Sequence, residues 1–279
     1  MTLSEIRKLL NDEDIMLTKS LGQTFMHDKN QLLKIVALAK LATDDSVIEI
    51  GPGLGPLTGL LLEVVGHVTA IETDRRLIKL LEKQFAKREN LSLQHADAMK
   101  IVRKTEFDWS KHKLVANLPY SIASPLLIDL AFSEGRPRAM IVTLQLEVVR
   151  RMLAGPGSSE YGVLTLLIGL HYATGESFVI PRGSFYPEPN VDSGCIELLR
   201  RATPLLPSEL CPVFKKIVKR VFAERRKKMM KLLKRDWPEA AVAEAFDALG
   251  LDETIRAERV TLVQFAELTQ RLSRAEIDE

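Results

Sequence analysis

Between Ser46 and about Gln145 the chain keeps repeating one alternation, a short β-branched run followed by a longer amphipathic one. The strand-like runs are "SVIEI", "HVTAIE", "LSLQHA", "KLVANL" and "AMIVTLQ". Between them, "LTGLLLEVV", "RRLIKLLEKQFAKR" and "SPLLIDLAF" space their apolar residues by three and four, the period of a helix with one buried face. Parallel strands cannot be joined by tight turns, so this alternation predicts a parallel sheet with right-handed helical crossovers, an α/β layered domain. Ligands of such sheets bind beyond the carboxyl ends of the strands, so functional motifs should fall there.

The flanks complete the plan. "NQLLKIVALAKLA" from Asn30 predicts a helix against the sheet, preceded by a loop in "KSLGQTF". After the fifth strand, "LEVVRRMLAG" and "YGVLTLLIGLHYA" look helical, and "ESFVI" and "GCIELL" look like two further strands. The three prolines of the connection "PRGSFYPEPNVDS" exclude regular structure there. A boundary in "ATPLLPSEL" divides residues 1–204, a sheet domain with an N-terminal lid over the ligand, from a helical domain at 205–279. In the latter, Phe214, Ile217, Val218, Val221 and Phe222 share a helix face, and "TLVQ" at Thr261 matches a capping box. The longest apolar stretch, "VLTLLIGL", is too short to span a bilayer, which predicts a soluble cytoplasmic protein. Cys195 and Cys211 are the only cysteines and the five histidines are scattered, so no metal site is expected.

After the first strand comes "EIGPGLGPLT", with Gly51, Gly53 and Gly55 where a sharp turn would let backbone approach a ligand. Glu72 ends the second strand, where a carboxylate can accept both hydroxyls of a ribose, and Asp97 follows the third, within reach of an adenine amino group. Pro56 stands where a dinucleotide fingerprint needs its third glycine. With Glu49 as a third carboxylate, the pocket would repel a polyphosphate and favour a cation. S-adenosylmethionine, with a sulfonium, a ribose, an adenine and no phosphate, satisfies these conditions.

The fourth strand ends at Asn117, Leu118, Pro119 and Tyr120. An adenine amino group attacks poorly while its lone pair is delocalised into the ring. The Asn117 side-chain carbonyl and the Leu118 or Pro119 main-chain carbonyl could hold its two N–H groups, and Tyr120 could stack on the ring. No strong general base is required, because the sulfonium already activates the methyl group.

Over nearly its whole length the chain resembles the small-subunit ribosomal RNA adenine N6,N6-dimethyltransferases, the KsgA family. The matching pieces are "KSLGQTFMHD", "EIGPGLGPLT", "AIETD", "HADA", "NLPY", "FYPEPNVDS" and "FAERRKKM". The resemblance implies a Rossmann-like S-adenosylmethionine-dependent methyltransferase core with a small all-helical C-terminal domain. It implies transfer of four methyl groups to two adjacent adenosines near the 3′ end of 16S rRNA in the small ribosomal subunit. By it, Gly51 and Gly53 would lie under the cofactor, Glu72 would hold the ribose, Asp97 the adenine, and Asn117 both the methionine end and the target amine. Thr24 and Met26 stand in the cofactor-binding first motif where family members carry Asn and Leu, and Thr24 can offer no side-chain amide. Phe185 would cover the flipped base, sandwiching it against Tyr120, a stack worth roughly 1 to 3 kcal/mol.

From Lys215 to Arg235, eleven of twenty-one residues are Lys or Arg, against one acid, Glu224. That imbalance predicts phosphate contact, with Arg225, Arg226, Lys227 and Lys228 matching the family's basic motif. The catalytic parts need only one chain, consistent with a monomer. The rival readings are a methylase of large-subunit rRNA, which shares "NLPY", and a catalytically retired assembly factor.

Overall fold

The computed structural model describes residues 1–17, 23–104 and 107–275, so residues 19–22 of the expected "KSLGQTF" loop lie outside the described residues. Helix α1 (Leu3–Asp12) opens with a complete capping box. The Thr2 hydroxyl accepts from the Glu5 N–H, and the Glu5 carboxylate accepts from the Thr2 N–H at 2.6 Å. The two-residue strand β1 (Phe25–Met26) follows, then α2 (Lys29–Leu38), whose first N–H groups are satisfied by the Asp28 carboxylate.

The alternating region folds as its pattern predicts. In order come β2 (Ser46–Ile50), α3 (Pro56–Leu62), β3 (His67–Glu72), α4 (Arg75–Gln84), β4 (Leu91–His95), a short α5 (Ala98–Arg103), β5 (His112–Asn117), α6 (Tyr120–Phe132) and β6 (Ala139–Gln145). Each strand matches its expected run to within a residue. Next are α7 (Leu146–Leu153), α8 (Val163–His171), β7 (Tyr172–Ile180), β8 (Phe185–Tyr186) and β9 (Ser193–Arg200). The chain ends with α9 (Cys211–Ala223), α10 (Met229–Leu233), α11 (Glu239–Ala248) and α12 (Leu262–Ala275).

The seven-stranded sheet has the order β4-β3-β2-β5-β6-β9-β7. Strands β4 to β6 are parallel neighbours and β9 runs antiparallel to β6. Strand order reverses between β2 and β5, creating the crevice where ligands of doubly wound sheets bind. Central strands covered on both faces must be apolar throughout, and Val47, Ile48, Leu114, Val115, Met140 and Val142 are fully buried.

The chain divides into two compact units, one of Met1–Val149 with Thr174–Arg200, the other of Arg150–Ala173 with Arg201–Glu279. This corrects the expected boundary, which left residues 150–173 with the sheet. Within the second unit the Tyr161 hydroxyl donates to the Val260 carbonyl at 2.8 Å and the Arg201 side chain to the Gly169 carbonyl at 2.8 Å. The Gly157 N–H donates to the Glu258 carbonyl at 2.7 Å, so this segment is tied to residues far along the chain that no local pattern reveals. Among the described residues no helix is long and apolar enough to cross a membrane.

Candidate active site

Four adjacent strands, β4, β3, β2 and β5, deliver Asp97, Glu72, Gly51 and Asn117 to one edge of the sheet. They surround a cavity of about 230 Å³ whose wall also includes Gln23, Thr24, Phe25, Gly53, Leu118, Pro119 and Ile122. The glycine loop makes this approach possible. Gly53 has φ +61°, and a Cβ there would sit 2.9 Å from the Phe25 ring, so backbone and ring close together only without a side chain. Gly55, at φ +81°, serves packing instead: its missing Cβ would meet Phe85 at 2.7 Å, and it does not line the cavity.

Glu72 is preorganised. Its Oε1 accepts the N–H groups of Thr73 at 2.8 Å and Asp74 at 2.9 Å, and its Oε2 accepts the Gly53 N–H at 3.3 Å. Burial pushes its carboxyl above the ordinary range, and these three donors oppose that push. With one donor on Oε2 against two on Oε1, a lone pair of Oε2 is left for a ligand hydroxyl. Asp97 caps α5 by accepting the Met99 N–H at 2.9 Å, which orients its carboxylate in the cavity wall. Asp74 stands behind the wall: the Arg76 guanidinium holds its carboxyl down at about 2, and it accepts from Gln23 Nε2 at 3.0 Å.

Glu49 does not join them. It is fully buried, accepts the Thr58 hydroxyl at 2.7 Å and is absent from the cavity wall. Burial pushes its carboxyl up to about 8, so at neutral pH it holds its proton and adds no charge. The acidity of the pocket comes from Glu72 and Asp97.

At the end of β5 the Asn117 amide Nδ2 donates to the Thr24 carbonyl at 3.3 Å, which turns Oδ1 the other way. That oxygen is buried and has no hydrogen-bond partner among the described residues. The Leu118 N–H donates to the Thr143 carbonyl, while the Pro119 carbonyl accepts the Ile122 N–H at 3.1 Å as α6 begins. Among the described residues the Leu118 carbonyl accepts no bond, so of the two main-chain acceptors left open by the sequence it is the vacant one. An unpaired buried amide oxygen costs free energy, and it is tolerated where a ligand N–H completes it. Tyr120 follows, half-buried, its hydroxyl 2.6 Å from Ser193 Oγ.

Two expected site residues lie elsewhere. Phe185 and Met26 are each 2% exposed and belong to the hydrophobic core with Ile35, Val115 and Ile141. The cause is a two-residue pairing of β1 with β8, Phe25 opposite Tyr186 and Met26 opposite Phe185. Alternation along a strand sends Met26 and Phe185 inward together and leaves Phe25 on the cavity. Phe185 therefore covers no base in this conformation. The sequence reading missed Gln23, Phe25, Ile50, Ile71, Thr73, Leu77, Ala96, Ala98, Ser121 and Ile122, whose only signal is adjacency to the strand-end motifs.

Residues 16–274 match a family described as ribosomal RNA adenine dimethylase. The chain belongs to that family. Ribosomal RNA small subunit methyltransferase A of Lactiplantibacillus plantarum is 37% identical, over 97% of this chain and 95% of that protein. The protein of the same name from Syntrophus aciditrophicus is 34% identical over 96% and 98%. Among solved structures, the 23S rRNA methyltransferase ErmE is 27% identical with a TM-score of 0.68, covering 89% of this chain and 99% of that one. A dimethyladenosine transferase from Plasmodium falciparum, 24% identical with a TM-score of 0.78 over 90% and 98%, shares the fold. The dimethylase family membership makes this a methyltransferase, with the Rossmann-like sheet and helical C-terminal region described above.

In the dimethylase's helical unit the basic run is not one helix but α9, a turn at 224–228, and α10. Several of its charges are used internally: Arg220 pairs with Asp236, Arg235 with Glu224, and Lys234 with Glu239. Arg225 donates to the Ser159 carbonyl at 2.9 Å and lies 3.5 Å from Glu258. Arg226, Lys227 and Lys228 are exposed in the turn and form no ion pair with any described residue.

Proposed function

We propose that this dimethylase transfers methyl groups from S-adenosylmethionine to N6 of two adjacent adenosines near the 3′ end of 16S rRNA, in the small ribosomal subunit in the cytoplasm, giving N6,N6-dimethyladenosine. The observation that carries the reading is the pair of acceptors at the β5 end: the buried, unpartnered Asn117 Oδ1 and the vacant Leu118 carbonyl. The family and the names of the small-subunit relatives support the substrate.

The residues present fit S-adenosylmethionine. Glu72 Oε2 would accept a ribose hydroxyl, Asp97 would take the adenine amino group, Gly51 and Gly53 would leave room beneath, and Thr24 would contribute its main chain. Glu72 and Asp97 suit a cation, and among the described residues no Lys or Arg lines the wall. The cofactor supplies an electrophilic methyl group on a positively charged sulfur. The chain's own work is on the acceptor. Asn117 Oδ1 and the Leu118 carbonyl each accept one N6–H, which favours a pyramidal nitrogen with its lone pair free to form the new N–C bond. Tyr120 stacks on the base, which is held out of its helix. The new N–C bond would replace the methyl–sulfur bond, whose electron pair would stay with sulfur, and the surplus N6 proton would pass to water, so no strong base is needed.

Arg226, Lys227 and Lys228 of the helical unit contact rRNA phosphates, with Arg225 beside them. One chain carries every part, so the protein acts as a monomer and without a metal. The test is transfer from labelled S-adenosylmethionine to small ribosomal subunits lacking the modification, beside large subunits, with the labelled nucleoside identified by mass. Dimethyladenosine in small-subunit RNA is expected. Label confined to large-subunit RNA, or tight subunit binding with no label at all, would overturn the reading.

A further inference from the structure

We propose that Ser193 is a positioning residue for methyl transfer: its buried hydroxyl, bonded to the Tyr120 phenol, sets the plane in which that ring meets the acceptor adenine. This rests on the role given above to the Asn117–Tyr120 loop.

Tyr120 is the first residue of α6, directly after Pro119. A ring in that place can turn about both side-chain torsions unless its tip is held. Here the tip is held by Ser193 Oγ at 2.6 Å. Each hydroxyl has one proton and two lone pairs, so either of the two oxygens can be the donor of this bond. Burial pushes the phenol above its ordinary range, which keeps it neutral and able to donate.

The anchor itself is set in the sheet. Ser193 is fully buried and begins β9, where its backbone pairs with Gln145 at the end of β6. The contact thus joins the first residue of α6 to the first residue of β9. This gives "FYPEPNVDS" a connection to the site that Phe185 does not provide, because Phe185 is in the core whereas Ser193, eight residues later, reaches the catalytic loop. Stacking and in-line attack both depend on ring placement, so a freely turning Tyr120 would hold the base less often in a reactive pose.

The experiment is a double-mutant cycle of Ser193→Ala and Tyr120→Phe, with Ser193→Thr as the conservative variant. Single-turnover transfer, RNA KM and cofactor affinity are measured for each. Tyrosine 13Cζ resonances are followed as well, which is practical because the chain has four tyrosines. Each single variant should slow transfer on the order of tenfold with cofactor affinity unchanged. The double variant should be no slower than either, Ser193→Thr should recover most of the rate, and the Tyr120 resonance should move in Ser193→Ala. Losses that multiply in the double variant, wild-type turnover in Ser193→Ala, or a parallel loss of cofactor affinity would each overturn the proposal. Failure of the wild-type protein to form dimethyladenosine would remove the functional reading and this role with it, and is recognisable because no substitution is involved.

Discussion

The Asn117 side-chain amide is oriented by the main chain of Thr24, Nδ2 donating to the carbonyl at 3.3 Å. The orientation of the Asn117 amide, on which its proposed role depends, is therefore set by backbone, and the shorter side chain at position 24 does not disturb it. Asn117→Asp would put a carboxylate oxygen against that carbonyl in place of an N–H, losing the bond and adding repulsion. Transfer should fall on the order of a hundredfold or more, as when one preorganised catalytic dipole is removed. Thr24→Ala should cost far less, since the carbonyl remains. Comparable losses in single-turnover assays of the two variants would contradict this assignment.

Cofactor affinity should depend on pH through Glu72. Its carboxyl is pushed upward by burial, and the ionised form is the one that accepts ribose hydroxyls. Affinity should fall as acidification passes through the raised value, which lies above the ordinary carboxylate value of 4.5. The apo protein responds in the opposite sense, because a raised acid binds its proton more tightly folded than unfolded, so this protonation stabilises the fold. Glu72→Gln should bind cofactor weakly at all pH values and lose the acid limb. Calorimetric titrations between pH 5 and 8 test this; a wild-type acid limb surviving in Glu72→Gln would assign it to another group.

Much of this arrangement was legible in the sequence, for a physical reason. Strands buried on both faces must be continuous apolar runs, so β2, β5 and β6 announce themselves, and the motifs at their ends are then placed by topology alone. Glu72, Asp97 and Asn117 needed nothing more. Met26 and Phe185 were illegible because a two-residue strand has no measurable period, and its pairing decides which side chain faces the core. Glu49 misled because a carboxylate next to a glycine loop looks ligand-facing until its burial is known. Residues 150–173 misled because their partners, such as Val260, lie about a hundred positions away. The charges from Lys215 to Arg235 could be counted in the sequence, but not sorted into paired and free.

Glu49 yields a stability prediction. Its carboxyl rises from 4.5 to about 8 on folding, so between those values the folded protein keeps a proton that the unfolded chain releases. Stability from this group is greatest at the acid end and falls as pH rises, by about 1.4 kcal/mol per pH unit across the window. Glu49→Gln imitates the protonated acid at every pH and can still accept the Thr58 hydroxyl. The variant should match wild type near pH 5 and be the more stable protein at pH 8. Parallel denaturation midpoints of the two proteins across that range would refute the shift.

The basic turn holds both charge tied within the helical unit and charge left exposed, and the proposed rRNA contact falls to the exposed part. Arg225 is tied to Ser159 and Glu258, whereas Arg226, Lys227 and Lys228 have no such partner among the described residues. Replacing Arg226 and Lys227 by Glu should weaken binding to small-subunit RNA without changing the melting temperature or cofactor affinity. The slope of log affinity against log salt should shrink by roughly 0.7 to 0.9 for each phosphate that the protein no longer neutralises, since fewer counterions are released. Arg225→Ala should do something different, lowering the melting temperature as the 155–160 loop loses its tie, while changing the salt slope by no more than the share of a single phosphate. An unchanged salt slope in the Arg226 and Lys227 variant would mean that the rRNA is held by another surface of the chain.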